Sequence, residues 1–333
     1  MARVVRFYQH GGPEVLRIEQ VEVPAPGAGE VQIQVQALGL NRAEALLRAG
    51  TYIETPTFPS GLGLEAAGVI VAVGDGVNGL DVGDAVSVIP PISMVRWPTY
   101  AEVINFPAAM VVRNPASLSM ELAAAAWMQY LTAYGALIEV AALRPGEVVV
   151  ITAASSSVGL AAIQIAKLVG AIPIAVTRTL QKKQALLDAG AAHVIALAEE
   201  DLVARVTEIT ESRGARVALD PVGGRIVASL TEVMARGGML IEYGGLSAEP
   251  TPFPLPSVLA KSLTLRGYLV HEMTGHPKRL QAARDFIEQG LATNDLRPIV
   301  AKVFPFEQII EAHRYLESNR QVGKVVVTIA GDI

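Results

Sequence analysis

The chain of 333 residues contains no cysteine. Disulfides, thiolate nucleophiles and cysteine-ligated metal are therefore excluded. Charge is also sparse: Asp, Glu, Lys and Arg make up 18%, with 27 cations against 32 anions and a formal net charge of −5. Those cations are scattered rather than striped, which argues against a nucleic-acid surface as the main role. Hydrophobic residues reach 51% and mean hydropathy is +0.39, yet no uninterrupted apolar run of about 20 residues exists to span a bilayer. The opening MARVVRFYQHGG lacks the long apolar core of a signal peptide, so a cytoplasmic protein is expected. The length exceeds a typical single core and predicts two domains.

What is present begins with Val148 to Gly170, VVVITAASSSVGLAAIQIAKLVG. The β-branched run Val148 to Thr152 suits a strand covered on both faces. Small residues follow, and from Val158 the apolar positions Leu160, Ile163, Ala166 and Val169 recur at helical spacing. A helix opening directly after a strand points unpaired N–H groups at one spot, which favours phosphate. The dinucleotide fingerprint G-x-G-x-x-G is incomplete, because its frame falls on Ala154, Ser156 and Gly159. Only the third glycine, the one that permits close helix–strand packing, survives. Ser156 brings a side chain where the backbone normally approaches pyrophosphate, but its hydroxyl is itself a phosphate donor. An ordinary strand–helix turn would look the same, so the next strand has to decide.

That strand, Ile172 to Thr177, ends where a dinucleotide fold reads the ribose. An acid there would accept from a 2′-hydroxyl; the chain instead has Thr177-Arg178-Thr179, with Lys182 and Lys183 a turn later. Cations favour a 2′-phosphate. Two charge-assisted hydrogen bonds of about 1.5–3 kcal/mol each would separate NADPH from NADH by on the order of a few hundred-fold.

Along the chain, the first 120 or so residues read as β-rich, with alternation in Val31 to Gln36 and a further strand at Ala67 to Val73. Strands are then expected at 148–153, 172–177, 193–197, 215–219, 238–243 and 262–267, with helices between them. This is the rhythm of an α/β doubly wound parallel sheet. A helix over 277–289 and a closing strand over 324–329 follow. The tail is expected to rejoin the first domain, giving residues 1–122 and 268–333 as one domain and 123–267 as the other. The segment His271-Glu272-Met273-Thr274-Gly275-His276 places its second histidine one position too far for H-E-x-x-H and carries helix-breaking Gly275 and Pro277. It reads as a loop.

Several short stretches together carry a family likeness: His10-Gly11-Gly12-Pro13-Glu14-Val15-Leu16, Leu40-Asn41-Arg42-Ala43-Glu44, Gly63-Leu64-Glu65-Ala66-Ala67-Gly68, Leu131-Thr132-Ala133-Tyr134, Asp220-Pro221-Val222-Gly223-Gly224 and Gly323-Lys324-Val325-Val326. In order and spacing the chain resembles the zinc-free quinone oxidoreductase branch of the medium-chain dehydrogenase/reductase superfamily, over essentially its whole length. The resemblance implies a Rossmann doubly wound sheet, a GroES-like β-rich catalytic domain, and a cofactor in the cleft between them. It departs from the branch at Ser157, which replaces the first glycine of G-V-G, and at Ile195-Ala196-Leu197, where relatives carry an aromatic residue.

By the same resemblance, Asn41, Leu64 and Met128 stand where the zinc enzymes of the superfamily hold their catalytic metal, and none suits Zn²⁺; no metal is expected. Glu65, in those enzymes a carboxylate close to the metal ligands, reads as structural. The implied activity is hydride transfer from NADPH to a quinone or α,β-unsaturated carbonyl. Asn41 and Tyr52 are the catalytic candidates. Asn41 would fix the ribose or an acceptor oxygen, and Tyr52 would donate to a developing oxyanion or shape the pocket. Cofactor contacts are expected from Asn41, Thr132, Ala154, Ser155, Ser156, Ser157, Val158, Gly159, Thr177, Arg178, Thr179, Lys182, Tyr243, Gly244 and Leu269. Gly323 and Lys324 would close over the cofactor from the tail, and Tyr130 would either join them or lie in the core. Two alternatives stay open: an NADPH-binding protein with a sensing, structural or RNA-binding role, and an alcohol dehydrogenase-type activity. Leu263 to Gly267 reads as an exposed sheet edge whose pairing would make a two-fold homodimer.

Overall fold

The computed structural model describes residues 1–330; the last three residues of the expected 268–333 segment lie outside them. The chain divides into two compact units, Met1–Met128 with the residues from Pro298 onward, and Gln129–Arg297.

In the first unit, β1 (Ala2–Arg6) pairs antiparallel with β2 (Arg17–Val21). The long strand β3 (Glu30–Leu40) buries Val31, Ile33 and Val35 while Gln32 and Gln34 stay partly exposed, the period-2 pattern of a half-covered sheet. Its last four residues are all buried. There Gly39 lies so close to the Ala124 carbonyl that a Cβ would meet it at 1.9 Å. Helix α1 (Arg42–Ala49) follows, started by a capping box between Asn41 and Glu44 and ended by Gly50 at φ 78°. β4 (Glu65–Val73), β5 (Ala85–Val88), β6 (Val103–Pro107) and β7 (Val111–Arg113) extend the antiparallel sheet, and the short α2 (Met120–Ala123) ends this part of the chain. Asp84 accepts from the Asp81 N–H at 2.8 Å and pairs with Arg113, fixing the turn before β5.

The division falls within α3 (Trp127–Tyr134). The second unit is built on β8 (Val148–Ile151), β9 (Ile172–Thr177), β10 (His193–Ala196), β11 (Ala215–Asp220), β12 (Met234–Glu242) and β13 (Thr264–Gly267). All six are parallel, in the order β10-β9-β8-β11-β12-β13. The chain therefore winds outward twice from β8, in opposite directions, and leaves a switch point between β8 and β11. Helices α4 (Ser157–Leu168), α5 (Lys183–Asp188), α6 (Leu202–Ile209), α7 (Ile226–Val233) and α8 (Leu255–Lys261) alternate with the strands. Val150, Ile174, Ile195, Val206, Ala218, Leu230 and Leu240 form one core between sheet and helices; the larger of these side chains contribute roughly 1.5–3 kcal/mol each.

Two expectations differ from the structure. Residues 271–274 are a short helix, α9 (His271–Thr274), rather than loop, and Gly275 ends it. The segment from 268 to Arg297 groups with the second unit. Tyr268 is buried with its hydroxyl donating to the Leu131 carbonyl at 3.4 Å, and α10 (Pro277–Thr293) buries Leu280, Ala283 and Ile287 and sets Phe286 against Tyr134. The return to the first unit comes at Pro298. There β14 (Val300–Pro305), α11 (Ile309–Glu317) and β15 (Lys324–Thr328) follow, with β15 seated between β14 and β3. Among the described residues no helix is long and apolar enough to cross a membrane.

Candidate functional site

In the second unit the turn after β8 holds Ala153 in the left-handed region, at φ 43°. Ser156 caps α4: its hydroxyl accepts from the Gly159 N–H at 3.1 Å. The same hydroxyl bonds the phenol of Tyr243. Capping uses an oxygen lone pair and leaves the Ser156 hydroxyl its proton to donate. The N–H groups of Ser157 and Val158 have no partner within their own helix and remain at its positive end. A Cβ on Gly159 would lie 2.6 Å from the Ala154 carbonyl oxygen, so helix and turn meet at a distance only glycine allows. Ala154 is itself fully buried.

Thr177 is buried at the end of β9, Arg178 is exposed, and Thr179 and Lys182 are half-buried. The Lys182 ammonium donates to the Ser155 hydroxyl at 3.0 Å, so the basic segment leans onto the turn. Burial, with Arg178 nearby, holds Lys182 below the usual lysine range. Beyond the switch point, Asp220 accepts from Thr152 Oγ1, from the Val222 N–H at 3.1 Å and from the Gly223 N–H at 2.8 Å. Glu242 stands opposite it in register. Tyr243 follows, its phenol kept neutral by burial and the nearby Asp220 carboxylate; Gly244 and Leu269 are exposed. Thr132 is buried in α3. Tyr130 is core: it is fully buried and donates to Gln164 Oε1 at 2.7 Å.

The first unit brings together residues that sequence spacing kept apart. Lys324 was expected to close over a ligand from the tail. Instead its side chain is 0% exposed and its ammonium pairs with Glu65, itself 1% exposed, while donating to Asn41 Oδ1 at 2.6 Å. Gly323, at φ 99° and with the Ile299 carbonyl 2.2 Å from any Cβ, turns the chain into β15. Asn41 Nδ2 lies 3.1 Å from the Gly39 carbonyl and 3.2 Å from both Glu44 Oε1 and Glu65 Oε2. Both its amide protons are thus used inside the unit, which removes it as a free donor to ribose or acceptor. Glu65 also accepts from the Met128 N–H at 2.8 Å, and Glu44 accepts from the N–H groups of Asn41 (2.7 Å) and Leu64 (3.0 Å) and from the Tyr100 hydroxyl. His313 Nε2 completes the group 3.3 Å from Tyr100.

Sequence reasoning missed Glu44, Tyr100 and His313. The N-x-x-E capping spacing at Asn41–Glu44 was the one visible signal. The three positions expected to replace metal ligands, 41, 64 and 128, all bond this carboxylate network, and an ammonium ion stands between Asn41 and Glu65. Among the described residues no three His, Asp or Glu side chains converge as a metal-ligand set. Tyr52 is half-buried against the same core, its phenol pushed up to about 12 by burial and by Glu54 and Glu44.

A parallel six-stranded dinucleotide-type sheet with a capped strand–helix turn, in a chain that also holds a GroES-like unit, defines a dehydrogenase/reductase class. The family model for the alcohol dehydrogenase GroES-like domain matches residues 27–116, and that for zinc-binding dehydrogenase matches 157–289. Quinone oxidoreductase 1 of Escherichia coli is 34% identical over 331 residues, covering 97% of this chain and 98% of the relative. The crystal structure of Escherichia coli quinone oxidoreductase complexed with NADPH superposes with a TM-score of 0.90 at 32% identity, covering 98% of this chain and 99% of that one. An NAD-dependent alcohol dehydrogenase structure gives a TM-score of 0.89 at 32% identity, covering 98% of this chain and all of that one (100%). The chain belongs to the zinc-free quinone oxidoreductase branch of the medium-chain dehydrogenase/reductase superfamily.

Proposed function

We propose that this protein is an NADPH-dependent oxidoreductase that reduces a quinone or an α,β-unsaturated carbonyl without zinc. The carrying observation is the acid-free, cationic end of β9, tied to the turn by the Lys182–Ser155 hydrogen bond. The residues fit the cofactor: the Ser157 and Val158 N–H groups suit pyrophosphate, and Arg178 and Lys182 suit a 2′-phosphate. Thr177, Thr179, Tyr243, Gly244, Leu269 and Thr132 would line the remainder. When bound, NADPH supplies a hydride from its nicotinamide ring. Tyr52 holds its proton at neutral pH and would donate a hydrogen bond to the acceptor oxygen as negative charge develops there. Asn41 is assigned a positioning role, since its amide is committed to Lys324, Glu44 and Glu65.

The committed ammonium also weighs against the zinc-dependent alcohol dehydrogenase alternative, because a second cation beside Lys324 would be repelled. The crystal structure of the Escherichia coli relative contains NADPH, which supports the cofactor choice. A homodimer is part of this reading. Among the described residues β13 has a partner, β12, on one side only, and Phe253 (64% exposed), Leu255 (51%) and Leu259 (69%) leave apolar surface just before it in the chain.

Steady-state oxidation of NADPH and NADH with a panel of quinones and enones tests the proposal. NADPH should be preferred, and Arg178→Ala should raise KM for NADPH by roughly 10- to 100-fold, as expected for one charge-assisted bond, while leaving NADH nearly unchanged. No turnover of any acceptor, or equal effects on both cofactors, refutes it.

A further inference from the structure

The carboxyl pair at the ends of β11 and β12 plays no part in the reading above. Asp220 is 0% exposed and takes three hydrogen bonds, from Thr152, Val222 and Gly223. Glu242 is different. Both its oxygens are shielded from water, and no hydrogen-bond donor among the described residues reaches them. An ionised carboxylate without donor or cation is strongly disfavoured in such a place. A protonated one is not, because its O–H is then donated to Asp220.

The surroundings bring no compensating charge. From β13 the register partner of Glu242 is Gly267; Arg266 pairs with Ile241, so it projects to the opposite sheet face, where it meets Glu272 at 2.7 Å. The helices on β12 carry Glu232 and Lys261, but these meet at the strand's other end, where Lys261 bonds the Glu232 carbonyl. Arg225, in the loop after β11, pairs with Glu249 at the surface. Glu242 ends its strand after the apolar Ile241, and the next residue is Tyr243, a neutral phenol bonded to the capping Ser156. Burial and the adjacent Asp220 push Glu242 up to about 8.

We propose that Asp220 and Glu242 share one proton and that this proton strengthens the binding of an anionic dinucleotide in the second unit. Ligands of such sheets lie beyond the carboxyl ends of the strands. Tyr243 links the pair directly to the turn that would hold the phosphates. With the proton in place the pair carries one negative charge; its loss adds a second facing the ligand. Binding therefore favours the protonated pair, and by linkage draws a proton from solution at pH near 8. Affinity is highest below about pH 7 and falls as pH rises through 8, by about tenfold for a coupling of ordinary size. The inference rests on the NADPH reading.

Calorimetric titration of NADPH into the wild type and Glu242→Gln, at pH 8 in buffers of differing ionisation enthalpy, measures the proton taken up. Proton exchange at every other group is common to both proteins, so the difference between them belongs to Glu242. The wild type should take up more, and its affinity between pH 6.5 and 9.5 should fall about tenfold further than the variant's. Equal uptake and equal pH profiles overturn the proposal. An infrared spectrum of the free wild type supplies a second reading: a protonated-carboxyl band that persists at pH 8, above the value of about 7 to which Glu44 is pushed, is lost by pH 9.5 and is weaker in the variant. Absence of that band overturns the shared proton even where the variant folds poorly. Failure of the wild type to bind NADPH at pH 7 sinks the cofactor reading and the linkage together, whereas the band reports on the pair alone.

Discussion

Replacing Lys324 by Met removes a cation from a place with no water to substitute for it. The Glu65 carboxylate, 1% exposed, would keep the Met128 N–H at 2.8 Å and the Asn41 amide at 3.2 Å as its donors. Asn41 Oδ1 would lose the ammonium that lies 2.6 Å away. Breaking a buried pair from one side typically costs about 3–5 kcal/mol, most of it the uncompensated charge left behind. A change of 1 kcal/mol moves the midpoint by roughly 2–4 °C in a unit of about this size, so a fall of about 6–20 °C is expected. The companion variant Lys324→Met/Glu65→Gln no longer buries a charge and should recover at least half of that loss. Differential scanning calorimetry on the single and double variants measures both. A single variant within about 1 kcal/mol of wild type, or a double variant no better than the single, would refute the view that Lys324 acts by neutralising Glu65.

Two further outcomes follow from the geometry. Gly159→Ala places a methyl 2.6–2.7 Å from the backbone of Ala154; overpacking of this kind costs about 1–3 kcal/mol, and NADPH binding should weaken at least about tenfold as turn and helix separate, read by cofactor fluorescence. His313, fully buried, is lowered to about 3 by burial and by Arg48 and Arg42. Its contribution is complete above the unfolded value near 6.5 and is lost as pH falls toward 3. Urea unfolding of His313→Asn should therefore show a shallower acid decline than wild type, by up to about 1.4 kcal/mol per pH unit. Glu44, pushed up to about 7 chiefly by burial, acts in the opposite sense, losing its contribution as pH rises from about 4.5 to 7, and cancels in that comparison. Identical slopes would contradict the assignment.

The parts of this molecule legible in its sequence are those governed by local pattern. The run from Val148 through Gly159 announced strand, turn and helix because β-branched burial, small turn residues and helical periodicity occupy consecutive positions. The six strands of the second unit followed from the same alternation, and with them the doubly wound parallel class of the sheet. The point of return to the first unit was not legible. The periodicity of α10 shows that it buries a face, but not which core receives it, and Tyr268 commits the segment to the second unit. Nor could spacing reveal that Lys324 meets Glu65 and Asn41, since the seating of β15 between β14 and β3 creates that encounter. Glu242 was overlooked because one acid at the end of an apolar strand reads as a solvated terminus, whereas the neighbouring strand buries it against Asp220.

The placement of β15 has a consequence for how the molecule comes into being. A strand drawn from residues 324–328 sits inside the sheet whose other members, apart from β14, are laid down before residue 114. During synthesis the parallel sheet has all its strands by residue 267, while the antiparallel one waits with the Ala37 to Leu40 stretch of β3 unpaired on the side that β15 takes. Until the last strand emerges, Glu65 also waits for its counter-ion. The unit made first is thus the one finished last.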